Sequence, residues 1–351
     1  PEEFRNKFDD TIKNSLIGTR KIGIFLSGGL DSMMIAHHAK KYLEQNSFSN
    51  QIYPCPIDPY ENENFNSDYE EATKFAQNEL FNHKGVMHTP QLYAEFWYSS
   101  TKSLEEPVYN LSMPMYEHMN KVMSENGIIV TLSGDMGDEI LGGYSSYLRF
   151  KNFYKSFKIK THRDCIKFWI LKRLAKPPNI KISIGFDEVI DFLIEKSFPE
   201  DLWDKDDPVS SYMRLDQQGL CPEDYFRRND RFGMKYSMEG RFPFASKKLM
   251  TYCMNIHSKH KIGSQIDELK LMSKVAYTNL LPKSIINKAK TGWTAPINLW
   301  RLQFTDKCKD INQIAKKVTL NNKLILPEDK RWSPLLNLYT WGQEYKMSLN
   351  P

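Results

Sequence analysis

Two aspartates carry the strongest chemical suggestion in this 351-residue chain. Asp31 sits near the end of Phe25-Leu-Ser-Gly-Gly-Leu-Asp-Ser32, and Asp138 within Leu132-Ser-Gly-Asp-Met-Gly-Asp-Glu-Ile-Leu-Gly-Gly-Tyr144. Each stretch follows an apolar run, Ile22 to Leu26 or Ile128 to Leu132, that reads as a short buried strand. The adjacent Gly28 and Gly29 admit backbone angles closed to most residues and let a ligand approach the main chain. Amides of such a turn, with a helix start behind it, suit a polyphosphate. The spacing and the Lys-Ser/Thr ending of a Walker A loop are absent. A carboxylate beside phosphates repels them unless a metal lies between, and Mg²⁺ is usually held by one or two carboxylates plus substrate phosphates and water. Asp31 and Asp138 are therefore the candidate metal ligands, one from each loop, meeting over a triphosphate. Plainer readings stand beside these: an ordinary tight turn for the first loop, and a helix N-cap for Asp138. Asp135 is either a base or orienter of an incoming nucleophile or a turn-forming aspartate.

Three later stretches add charged groups. Ser237-Met-Glu-Gly-Arg-Phe-Pro-Phe244 places Glu239 and Arg241 two apart before a proline. Lys270 and Lys274 lie one turn apart on a helix expected over Ile266 to Leu280, and Lys290-Thr-Gly-Trp-Thr-Ala-Pro296 is a loop with a basic residue. Taken singly, the first is a surface salt-bridge segment and the second a solvated face.

The elements that must position these groups alternate. Phe4, Phe8, Ile12 and Leu16 predict a helix over 2–18, and Met33 to Leu43 continues as another. A strand follows at 51–57, whose Pro54 and Pro56 suggest an edge or a strand end. Ser67-Asp-Tyr-Glu70 is a capping box opening a helix to about Phe81. Val86 to Thr89 is read as a third strand, and a helix over 112–125 stops at Asn126-Gly127. This alternation predicts an α/β fold with a doubly wound parallel sheet. In such sheets ligands bind beyond the carboxyl ends of the strands, so both Ser-Gly loops should face one crevice. The expected organisation is one unit, with 1–148 the parallel nucleotide-binding core and 149–351 a mainly helical part that completes the site. Residues 149–181 are basic and interleaved with aromatics, as a nucleic-acid surface would be, whereas 187–207 are acidic; the two read as charged faces that partly compensate each other.

Composition narrows the classes. Hydrophobic residues make up 40% and charged residues 26%, and the net charge of +5 does not by itself argue for nucleic acid. A chain this long can bury a core without disulfide staples. Its five cysteines, Cys55, Cys165, Cys221, Cys253 and Cys308, form no CxxC or Cys/His cluster. A reduced, cytoplasmic setting without a zinc site is expected. No window is apolar enough to span a bilayer, and Pro1-Glu-Glu is not a signal peptide.

Taken together, the motifs carry a resemblance. Phe25–Ser32 resembles the pyrophosphatase loop of the asparagine synthetase family, and Leu132–Tyr144 resembles that family's second loop. The order and spacing of Met238-Glu-Gly-Arg-Phe-Pro-Phe244, Asp267-Glu-Leu-Lys270, and Lys290-Thr-Gly-Trp293 with Pro296 and Trp300 also match, over roughly residues 5–300. The resemblance implies the ATP-pyrophosphatase (PP-loop, adenine nucleotide alpha hydrolase-like) fold and an AMP-forming carbon–nitrogen ligase. A substrate carboxylate attacks the α-phosphate of ATP, pyrophosphate leaves, and ammonia or another amine displaces AMP from the acyl-adenylate. By position it implies that Ser27, Gly28, Gly29 and Ser32 cradle pyrophosphate and that Asp31 and Asp138 hold Mg²⁺. Leu26, Ser133, Gly134 and Cys55 would line the adenosine pocket. Lys270, with Lys274 on the same nucleotide, would neutralise phosphate charge, while Glu239 would sit near the amine and Asp135 would act across the crevice.

Three departures from the family pattern stand out. The glutaminase part with its N-terminal cysteine does not precede Pro1, so the amine would be free ammonia, another amine, or the product of a separate glutaminase partner, unless the sequence is a piece of a longer protein. Asp135 stands where asparagine-forming members usually carry Glu and the β-lactam synthetase branch Tyr; its carboxylate reaches about 1.5 Å less than that of Glu. Phe244-Ala-Ser246 replaces the usual Phe-Leu-Asp, which points away from aspartate as substrate. The alternatives are a ligase or cyclase of a specialised metabolite or peptide, like β-lactam synthetases and lasso-peptide cyclases, a non-catalytic nucleotide-binding partner subunit, and a PP-loop enzyme acting on transfer RNA.

Overall fold

The computed structural model describes all residues except 19, 46–50, 55–66, 80, 109, 174–185, 289–299, 319–324, 327–331 and 347–351. Five short strands, β1 (Ile22–Leu26), β2 (Gln51–Pro54), β3 (Asn82–His83), β4 (Val130–Leu132) and β5 (Glu239–Arg241), form one sheet of order β3-β2-β1-β4-β5. Every pairing is parallel. The helices of the first half are α1 (Glu2–Ser15), α2 (Leu30–Gln45), α3 (Ser67–Asn78), α4 (Pro90–Leu104), α5 (Met113–Glu125) and α6 (Gly137–Leu141). Those of the second half that bear on the site are α7 (Ser145–Phe153), α8 (His162–Arg173), α9 (Phe186–Lys196), α10 (Pro208–Leu215), α11 (Arg227–Lys235), α12 (Lys247–Met254) and α13 (Leu271–Tyr277).

The central strand explains the sheet. All five residues of β1 are buried, as a strand covered on both faces requires. Ile22, Ile24 and Leu26 pack into a cluster with Phe4, Phe8 and Ile12 of α1 and Met33 and Met34 of α2. Phe25 points to the other face, among Met113, Met119 and Met123 of α5 and Phe232 of α11. Ile24 pairs with Leu132 in register, so the chain leaves β1 and β4 at the same end of the sheet. That placement brings the two Ser-Gly loops together.

The helical half packs around its own aromatic cluster, in which the rings of Phe150 and Tyr212 stack at 4.4 Å between centroids. The basic and acidic segments do compensate each other. Arg163 pairs with Asp187 (3.2 Å) and with Asp191, and Lys167 with Asp187 (3.0 Å), joining α8 to α9.

Several boundaries differ from the sequence expectation. The third strand is Asn82–His83, not 86–89; Val86 instead buries its side chain against the α5 cluster. Pro54 is the last residue of β2, a strand end as expected, while 55–57 lie outside the described residues. α1 stops at Ser15 and α3 at Asn78. The helix expected over 266–280 is broken: Ile266–Glu268 forms a 3₁₀ turn, and α13 begins only after Lys270. α5 ends as expected, with Gly127 at φ 75° behind Asn126.

Beside this core, His88 is buried at 1% exposure with its Nδ1 3.1 Å from Nδ1 of His118. Burial, and then the neighbouring His118, push its pKa down to about 3 from the usual 6.5. Between those values the unfolded chain binds the proton that the folded chain refuses. Stability should therefore fall as pH drops from about 6.5 toward 3, by at most about 1.4 kcal/mol per pH unit from this residue. Denaturant titrations across that range should show a shallower pH slope for His88→Gln than for the parent; identical slopes would remove His88 as the cause.

Candidate active site

The first loop is held shut by its own side chains. The Ser32 hydroxyl donates to the Gly29 carbonyl (3.0 Å) and accepts from the Ser27 amide (3.2 Å). Gly28 takes φ 71°, and a Cβ there would overlap the Asp68 carbonyl of α3. Only glycine combines that angle with that approach. The second loop lies directly against the first. A Cβ on Gly134 would come within 3.2 Å of Asp31 Cβ, and one on Gly137 within 2.6 Å of Asp31 Cγ. Small residues in the second loop thus make room for the aspartate of the first.

Lys270 joins them. It sits in the left-handed region at φ 56°, between the 3₁₀ turn and α13, and its amide donates to the Gly142 carbonyl at 3.3 Å. This turn directs the side chain inward. Its ammonium bonds Asp31 and lies 2.6 Å from Asp138 Oδ1, and all three residues are at most 9% exposed. Lys274 does not join this cluster: its Nζ donates to the Asp267 carbonyl at 2.7 Å, and partial burial lowers its pKa.

Two carboxylates converging on one ammonium are hard oxygen donors aimed at one point. No group of three or more His, Cys, Asp or Glu suited to a metal occurs among the described residues. Asp31 and Asp138 nonetheless fit Mg²⁺, which needs only one or two carboxylates when phosphates and water supply the rest.

These groups open into a cavity of about 370 Å³. Of the residues singled out from the sequence, Leu26, Ser27, Gly29, Asp31, Ser32, Ser133, Gly134, Asp135, Asp138, Lys270 and Lys274 line it. Gly28 shapes the loop without lining the cavity. Cys55 and the 290–296 loop lie outside the described residues. Glu239 is not brought to the cavity. It stands exposed on β5, paired with Arg241 at 2.7 Å, and that hydrogen bond holds its carboxyl below the usual range. Arg241 also donates to the carbonyls of Ser15 and Ile17, so the pair ties β5 to the end of α1. Likewise Ser246 precedes α12 at its N-cap position without a side-chain capping bond, its hydroxyl 3.4 Å from that of Thr11. Neither Ala245 nor Ser246 lines the cavity, so this departure from the family pattern is not one at the cavity wall.

The structure adds groups that the sequence reading missed. An eleven-residue π-helix, Asp216–Phe226, carries Pro222 inside it and runs straight into α11. Its end and the first turn of α11 place Tyr225, Arg228 and Asn229 around Asp135. Arg228 donates to Asp135 (3.0 Å) and Asp224 (3.0 Å), with its guanidinium carbon 4.6 and 4.8 Å from the ring centroids of Tyr116 and Tyr225. Burial alone would lower its pKa, but the two carboxylates outweigh it and the pKa is raised. Asn229 Nδ2 and the Ser133 hydroxyl donate to Asp135 Oδ2 at 2.7 and 2.8 Å. Tyr144 donates to Glu139, whose carboxyl is pushed up to about 8 by burial and then by Asp138. One available signal was the run Arg228, Asn229, Phe232, spaced to share a helix face in which two polar side chains accompany a core aromatic.

The Asparagine synthase family profile matches residues 3–328, which is most of the chain. The chain belongs to the asparagine synthase family. Its relatives in that family include asparagine synthetase [glutamine-hydrolyzing] 3 of Bacillus subtilis, 24% identical over 329 residues that cover 82% of this chain and 47% of that protein. Asparagine synthetase B [glutamine-hydrolyzing] of Escherichia coli is 28% identical over 175 residues, 43% of this chain and 28% of that one. The chain thus spans about half or less of these relatives' length. A U34-tRNA thiolase of Methanococcus maripaludis, solved with its [4Fe-4S] cluster, aligns over 83% of this chain and 88% of its own at 15% identity, with a TM-score of only 0.31.

One glycine tests whether the Lys270 junction is built as described. A Cβ on Gly143 would overlap Asp138 Oδ1 and crowd Lys270 Cε. Gly143→Ala should force the pair apart and destabilise the protein by about 3 kcal/mol or more, as breaking a buried ion pair does. An unchanged denaturation midpoint would show that the three side chains do not sit this closely.

Proposed function

We propose that this chain is an ATP-dependent amide synthetase: it adenylates a carboxylate with release of pyrophosphate, then passes the acyl group to ammonia or another amine. The observation that carries this reading is the Asp31–Lys270–Asp138 junction, which joins both Ser-Gly loops at the carboxyl ends of adjacent parallel strands. Membership of the asparagine synthase family supports the same chemistry. A sheet covered on both faces, whose order runs outward both ways from β1, supports the doubly wound, ATP-pyrophosphatase type. We read 1–148 as the nucleotide-binding core and 149–351 as the helical part that closes the site.

In this reading Ser27, Gly28, Gly29 and Ser32 cradle the pyrophosphate: the amides of Gly28 and Gly29 donate to it, and Ser32 keeps the loop closed by accepting from the Ser27 amide. Leu26, Ser133 and Gly134 border the adenosine. Asp31 and Asp138 would hold Mg²⁺, which neutralises charge on the phosphates when bound. Lys270 adds a positioned positive charge in a site largely closed to water, where such charges act most strongly. An oxygen of the substrate carboxylate attacks the α-phosphorus, and the bond to the pyrophosphate oxygen breaks. The amine nitrogen then attacks the acyl carbon, AMP leaves with the bonding pair, and the nitrogen loses a proton. Asp135, fixed by Arg228, Asn229 and Ser133, orients the groups at that second step. Glu239, exposed beside Arg241, is assigned no role at that step.

The test is a screen of the intact protein with ATP, Mg²⁺ and a panel of carboxylates, with and without ammonium or larger amines. Pyrophosphate and AMP should appear together for the right acid. Release of ADP alone would instead indicate a kinase, and nucleotide binding without any release a binding subunit. Ammonium dependence separates an asparagine synthetase-like enzyme from a ligase or cyclase that uses a larger amine. Asp31→Asn and Lys270→Ala should each lower pyrophosphate release about 100-fold or more while the circular-dichroism spectrum stays native; full activity in either would sink the assignment.

A further inference from the structure

Away from the Lys270 junction, the charged side chains among the described residues that line the cavity are already paired. The lining also includes Asp135, Arg228, Tyr225, Tyr144 and Asn110, which border a bay. Among the described residues that line the cavity, the cations are Arg228, Lys270, Lys274 and Lys288. Lys270 holds Asp31 and Asp138, Lys274 the Asp267 carbonyl, and Lys288 pairs with Asp68 at 2.5 Å. Arg228 is the cation in the bay. Its two terminal nitrogens donate to Asp135 and Asp224, and its carbon lies under 5 Å from two tyrosine ring centroids. Asp224 is in turn fixed by the Asn110 amide at 2.9 Å. One positive charge therefore faces two negative ones, and its planar faces are covered.

We propose that the acid activated here carries no second carboxylate, and that it turns a body rich in hydrogen-bond donors, amine or hydroxyl groups, toward Asp135 and Arg228. This rests on the synthetase reading above and names its substrate class. A second carboxylate entering there would meet a net negative cluster in which every cation of the described lining residues is already paired, and close like-charge repulsion of that kind discriminates strongly. An ammonium or hydroxyl would instead find carboxylate and tyrosine oxygens that accept. Asp224 sets this preference at one remove, by holding Arg228 neutralised, and so acts as a specificity-determining residue.

The experiment measures ATP-dependent pyrophosphate release by the intact protein on acids matched in length: glutarate against 4-aminobutyrate, and galactarate against galactonate. In the pair that is turned over, kcat/KM should be at least tenfold higher for the acid without the second carboxylate. Asp224→Asn should narrow that ratio by lowering KM for the dicarboxylate, while KM for ATP stays put. Calorimetric titration of the same acids gives the ranking without turnover and covers the case in which the variant fails to fold. Equal or better use of the dicarboxylates would overturn the inference and leave the synthetase reading intact. No pyrophosphate with any acid, on this and a broader panel, would remove both.

Discussion

The structure depends on one buried arrangement, the Lys270 ammonium between the carboxylates of Asp31 and Asp138. Three charges at most 9% exposed are expensive to hold. Desolvation takes back much of what the attraction gives, and replacing such a group with apolar side chains often leaves a protein as stable or more so. What the arrangement does supply is a fixed location. Asp31 comes from the helix behind β1, Asp138 from the short helix behind β4, and Lys270 from a turn far along the chain. The three can meet only if β1 and β4 are in register and the helical half is docked. The glycines around them follow from that demand. Gly137 and Gly143 lack side chains where the carboxylates of Asp31 and Asp138 must pass.

This dependence also says what was legible in the sequence. The two loops could be read directly, because an apolar run breaking at Ser-Gly is a local pattern. The parallel sheet followed from alternation, and α5 from its Asn-Gly stop. Lys270 was legible as a charged residue but not in its geometry. Its spacing from Lys274 fits one helix face, whereas a left-handed residue at 270 starts a new helix and turns the two lysines apart. No local propensity announces that angle in a lysine; the fit against Gly142 and the two aspartates imposes it.

Glu239 shows the opposite case. Its neighbours in sequence are those of the family motif, but β5 pairs with β4 at the rim of the sheet and leaves this side chain outside. A strand sends alternate residues to opposite sides, so nearness along the chain does not settle which side a residue serves. Arg228 was hidden for a third reason. It follows a π-helix that carries Pro222, so a 3.6-residue period counted from α10 does not carry across to α11 and does not show which face of α11 meets Asp135.

Asp135 brings the two halves of the argument together. An aspartate in place of the longer glutamate loses reach, and the surrounding side chains compensate by coming to it. Arg228 approaches one oxygen at 3.0 Å, Asn229 and Ser133 the other at 2.7 and 2.8 Å. With the Tyr116 hydroxyl 3.4 Å from the same oxygen as Asn229 and Ser133, this carboxylate has little freedom to swing. In the synthetase reading proposed above, the substrate would come to it. The residue that departs from the family pattern is thus not an isolated change. It is the centre of a wall in which one arginine faces two carboxylates, and in that same reading this surplus of negative charge, more than the two Ser-Gly loops, selects the acid that can lie against it.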